Sequence, residues 1–401
     1  MSFSDIKHAI RKYEFPQSAR EALVRVEQML TGRGAPTAKQ LDGVMDIIAE
    51  FIFCESDRRG GRRGSGLNPL QELQLIDVIC DYLSGSISET TKNTIFLSLF
   101  GGQESQRRLK ILSILASMAV SASSTPMLLA VGVWLQQMGC SSPQSLQLVE
   151  NVIRDHFQLN TSNQAALNSL ASSAPQFVAN FITAVTELYM NDVQGKVKMP
   201  PKNLLEVITA WVHAHPSLCM SAQLSPAPLP PGAIPMAAVT PLAGLVHWCA
   251  RAPLYVDEDV EMEEAPTPPK KIKVEGEIEH KMMKTKTTKS LSEAELYTKL
   301  HLGVLHSLRA GRRTHGPPTA VNAQHLAALA PMLQAYSQGA GLPAQGDGRL
   351  QDCLDRIGQA VQIALANGCV YGNISSLLAV LDTLPENRLL RIIIKTHQQA
   401  I

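Results

Sequence analysis

Two basic clusters and one pair of histidines are the stretches whose residue types and spacing suggest chemistry. Arg58-Arg59-Gly60-Gly61-Arg62-Arg63-Gly64 has the form of an RNA-binding arginine-glycine box. Guanidinium groups pair with phosphates and stack on bases, while glycine keeps the backbone adaptable. The run is short and has no interleaved aromatic. Arg58, Arg59, Arg62 and Arg63 are therefore candidate RNA contacts in a chain not expected to bind nucleic acid directly. Pro269-Lys270-Lys271-Ile272-Lys273-Val274 is the sharper signal: lysines held extended after prolines suit an acidic groove on an import receptor and predict a nuclear protein. Overlapping it, Ile272-Lys273-Val274-Glu275 has the hydrophobic-Lys-x-Glu form of a SUMO acceptor at Lys273. His213 and His215 flank Ala214 just before Pro216, but a metal would need further ligands that the local sequence does not supply. No metal or cofactor is expected.

None of the glycine-rich phosphate loops, HExxH helices or GxSxG elbows is present, so the chain reads as a non-enzyme. Its seven cysteines are an odd number with no CxxC pair, which predicts reduced, mostly buried thiols rather than a zinc site or a disulfide framework. Charges near the N-terminus argue against a secretory signal. The segment from Ile111 to Leu135 lies in a stretch free of Asp, Glu, Lys and Arg and is long enough to cross about 30 Å of hydrocarbon. Pro126 and the Ser-Ala-Ser-Ser-Thr segment at 121–125 predict two shorter buried helices meeting at a turn instead, with no membrane span.

The elements that would carry these residues are helical. A capping residue followed by proline marks helix starts at Asn68-Pro69, Thr125-Pro126, Ser142-Pro143 and Thr240-Pro241. After Asn68, with Gln71 placed to complete a capping box, Leu70, Leu73, Ile76, Cys80 and Leu83 recur at steps of three and four and predict the buried face. Similar periods run through Leu41 to Phe51, Leu109 to Ala119, Leu146 to Phe157 and Phe177 to Leu188. Trp134, Trp211 and Trp248 sit in apolar helical stretches and read as core. Alternating strand patterns are almost absent.

The chain has 401 residues, 45% of them hydrophobic and 18% charged, with a net charge of +1, so it can bury a sizeable core and is not globally disordered. Helices with little polarity on any side need neighbours all round. The fold class that follows is all-α: an irregular helical-hairpin (HEAT-like) solenoid in two blocks. The first spans 1–254, with a proline-rich connection at 221–241. A charged linker at 255–290 has the composition of disorder. The second block spans 291–401 and opens at a Ser292/Glu295 capping box.

Several stretches together resemble the family of the fifteenth Integrator subunit: Leu67-Asn-Pro-Leu-Gln-Glu-Leu-Gln-Leu-Ile76, Thr240-Pro-Leu-Ala-Gly-Leu-Val-His-Trp-Cys249 with Ala252-Pro-Leu254, and Leu296-Tyr-Thr-Lys-Leu-His-Leu-Gly-Val-Leu305. Leu204-Leu-Glu-Val-Ile-Thr-Ala-Trp211 is a less distinctive match. The resemblance implies a nuclear, all-helical scaffold in an assembly that binds RNA polymerase II, cleaves nascent RNA and attenuates transcription, small nuclear RNA 3′-end formation included. It further implies that other subunits carry the catalysis, and that this chain docks with the module of subunits ten, thirteen and fourteen. Residues 257–290 and the absence of a Pro- and His-rich tail depart from the family pattern.

Overall fold

In the computed structural model, the described residues are 3–31, 37–55, 66–101, 105–159, 163–190, 192–193, 196–220, 240–256, 291–310, 321–339 and 348–398. The helices are α1 (Phe3–Ile10), α2 (Gln17–Leu30), α3 (Ala38–Ile47), α4 (Pro69–Ser84), α5 (Glu89–Phe100), α6 (Gln106–Ala122), α7 (Thr125–Met138), α8 (Pro143–Ile153) and α9 (Gln164–Ser173). They continue with α10 (Pro175–Leu188), α11 (Lys202–Ala214), α12 (Pro241–Tyr255), α13 (Glu293–Ala310), α14 (Ala323–Ala327), α15 (Ala330–Gly339), α16 (Gly348–Ala366), α17 (Ile374–Leu381) and α18 (Arg388–Gln398). Two-residue strands pair Asp192–Val193 with Lys196–Val197 antiparallel and Val321–Asn322 with Val370–Tyr371 parallel. The all-α expectation holds.

Local chemistry sets the helix starts. Asn68 and Gln71 form a reciprocal capping box with Pro69 inside the first turn. Ser292 and Glu295 do the same at 2.7 and 3.2 Å. Ser142 accepts from the Ser145 amide. The other two proline starts differ in detail: Ser124 rather than Thr125 is the capping residue of α7, and Thr240 makes no side-chain cap on α12. Ser123, in the left-handed region at φ 49°, ends α6 and lets α7 fold back on it. The segment from Ile111 to Leu135 is thus two helices, and no helix among the described residues is long and apolar enough to cross a membrane.

Successive helices stack in two layers. One holds α4, α6, α8 with α9, α11 and α13; the other holds α5, α7, α10, α12, α16 and α18. Ridges of side chains at i±3 and i±4 make such stacking possible wherever an apolar stripe is wide enough to meet neighbours on two sides. A single apolar cluster runs through both layers from Ile10 to Ile394, and α13 continues the first layer by packing on α11. The tryptophans are core, as expected, and each ties its helix to the preceding one of its layer: Trp134 Nε1 donates to Phe100 O, Trp211 to Leu167 O and Trp248 to Thr186 O. Gly132 allows the close approach of α7 to α10, since a Cβ there would lie 3.0 Å from Phe177 Cα.

The buried face of α4 corrects one expectation. Leu70 and Leu73 point outward, 65% and 56% exposed, while Leu75, Ile76, Ile79 and Leu83 face the core. The helix is leucine-rich on more than one side, so its period admits two stripes, and packing on α6 and α7 selects the second. Leu41 of α3 is likewise outward.

Buried histidines make the stability depend on pH. His301 bonds Gln359 Oε1 at 2.9 Å between α13 and α16, and His156 Nε2 lies 3.0 Å from Ser117 O. Burial lowers the pKa of both below 6.5, outweighing the bonds to Gln359 and to Ser117 with Asp155 that raise it. The unfolded chain then binds more protons in the range just below pH 6.5, so stability is full above that value and is lost as pH falls through it toward the folded pKa values. Thermal unfolding is expected to drop between pH 7 and pH 5.5, with a shallower slope in His156→Gln/His301→Gln. Identical slopes would remove these rings as the cause.

Candidate functional site

Arg58, Arg59, Arg62 and Arg63, and Pro269, Lys270, Lys271 and Lys273, lie outside the described residues. The flanks of the arginine-glycine segment are described, and they lead to an arrangement the sequence did not reveal.

At the near flank, Glu55 meets Arg108 of α6. Arg108 Nε donates to Glu55 Oε1 at 3.0 Å, Nη2 contacts Glu55 Oε2, Nη1 donates to Leu99 O at 3.2 Å, and the guanidinium lies 4.5 Å from the centre of the Phe53 ring. Ser105, the cap of α6, also reaches Glu55. Arg108 is 3% exposed, so every donor arm has been withdrawn from water and needs these partners. At the far flank Gly66 has φ +67°, and a Cβ there would collide with the Arg107 guanidinium.

Beside this anchor α6 and α8 leave a groove. One end is a cavity of about 440 Å³ lined by Phe100, Leu112, Trp134, Met138, Gln106 and Gln144, the first three of them nearly inaccessible to solvent. A second space of about 360 Å³ continues along the same two helices past Lys110, Ile114, Asn151 and Arg154. Rungs cross the seam between the helices: Gln147 Nε2 to Gln106 Oε1 at 3.4 Å, Asn151 Nδ2 to Ser113 Oγ at 3.1 Å, and Ser117 Oγ to Asp155 Oδ2 at 2.7 Å. Arg154 and Asp155 belong to the π-turn Arg154–Gln158 that extends α8, a widening of the helix that recurs at functional sites.

Along this groove the described side chains are not arranged as a nucleophile relay. Ser117, His156 and Asp155 are the residue types of a nucleophile relay, but the Ser117 hydroxyl donates to Asp155 and the imidazole bonds the Ser117 backbone carbonyl. The base is therefore not on the hydroxyl. Burial pushes the thiols of Cys140 and Cys249 up to about 12 and that of Cys219 to about 11, so they stay protonated and poorly nucleophilic near neutrality. Among the described residues no group of three or more His, Cys, Asp and Glu could hold a metal ion. His213 bonds Lys299 O at 2.6 Å and His215 bonds Ser172 Oγ at 3.0 Å. They face different elements.

Across nearly its whole length the chain fits one family profile, described as Integrator complex subunit 15, over residues 4–386. The chain belongs to the Integrator complex subunit 15 family. It is 34% identical to the relative of that name from Drosophila melanogaster, with 100% of each chain covered. The Mus musculus relative is 29% identical and the Homo sapiens relative 28% identical, each over 98% of this chain and 86% of its own. The stretches that carried the resemblance are positioned as structural elements: Leu67 to Ile76 opens α4, Leu242, Leu245 and Trp248 form the buried face of α12, and Leu296, Leu300 and Val304 that of α13.

The groove was missed because its residues are distant in sequence and unremarkable in type. Glutamines on two helices and a tryptophan on a third carry no motif. The one available signal was Arg107-Arg108 at the head of a charge-poor helix, since an arginine on an apolar face demands a partner.

Proposed function

We propose that this chain is a non-catalytic scaffold of the nuclear Integrator complex, supporting RNA polymerase II attenuation and small nuclear RNA 3′-end processing by holding other subunits. The module of subunits ten, thirteen and fourteen is the proposed neighbour. The family match over residues 4–386 carries the reading. Two further features support it. A two-layer helical array presents long surfaces to partners, and Leu70 and Leu73 stand exposed on one of them. Nuclear import through Lys270, Lys271 and Lys273 is part of the proposal.

Tagged protein purified from the nuclear fraction at high salt with nuclease is expected to retain Integrator subunits. Apolar anchors with a polar rim survive a wash that strips purely electrostatic RNA contacts. Recovery of no Integrator subunit, together with RNA crosslinks mapping to Arg58 through Arg63, would replace the scaffold with an RNA-binding factor.

A further inference from the structure

We draw no further inference here: the strongest candidate, the outward face of α18 on which Arg388, Arg391 and Lys395 flank the exposed Ile392, is a solvated helix face, and nothing in the structure shows what covers it.

Discussion

Leu115→Asp is expected to abolish soluble, folded protein. Leu115 lies in α6 at 0% exposure, and that helix packs against α4, α5, α7, α8 and α9, so no rotation or local shift brings a carboxylate there to water. An aspartate would have to stay ionised among packed side chains or take up a proton. Either route costs several kcal/mol, against a total stability of about 5 to 15 for a typical domain. Leu115→Ala sets the scale of the cavity alone, about 2 to 5 kcal/mol. Expression with size-exclusion chromatography and circular dichroism is the measurement, and wild-type yield with native helicity in the aspartate variant would show that the position is not core.

Arg108→Ala should have the next largest effect. Removing the guanidinium strips Glu55 of its ion pair, leaves Leu99 O without this donor and exposes the Phe53 ring to a void. Breaking a buried pair by deleting one partner costs about 3 to 5 kcal/mol, and the lower end applies because the Glu55 side chain keeps 25% of its exposure and can draw on water. The informative companion is Arg108→Met/Glu55→Leu, which removes both charges while keeping volume and should recover most of the loss. Urea unfolding midpoints of the three proteins decide it. If Arg108→Ala unfolds at the wild-type midpoint, the pair does not secure the base of the segment that follows Glu55. If the double variant is no better than the single one, the loss came from packing rather than from an orphaned charge.

These two positions show how differently information was distributed along the chain. The burial of Leu115 could be read directly, since α6 carries no formal charge after Lys110 and its apolar residues recur at steps of three and four. Arg108, three positions before Ile111, is by contrast one of the most deeply buried charges among the described residues. Its partner is 53 residues away, and nothing about a lone glutamate before an arginine-glycine stretch marks it. The candidate groove follows the same rule: Leu112 and Trp134 read as apolar core, but their lying beside a groove did not.

Helix class, helix starts and the charge-free centre were decided by interactions within a few residues: the Asn68/Gln71 and Ser292/Glu295 boxes, prolines in first turns, and apolar residues at steps of three and four. Such contacts close within one turn, so the order of residues suffices to specify them. Which stripe of α4 turns inward, which helix follows α11 in its layer after the 255–290 segment, and where α6 and α8 stand far enough apart to leave a groove were settled only in the folded chain. Those features depend on how the side-chain volumes of several helices fit at once, with the cost of each buried charge or void shared among distant residues, and no local period encodes that sum.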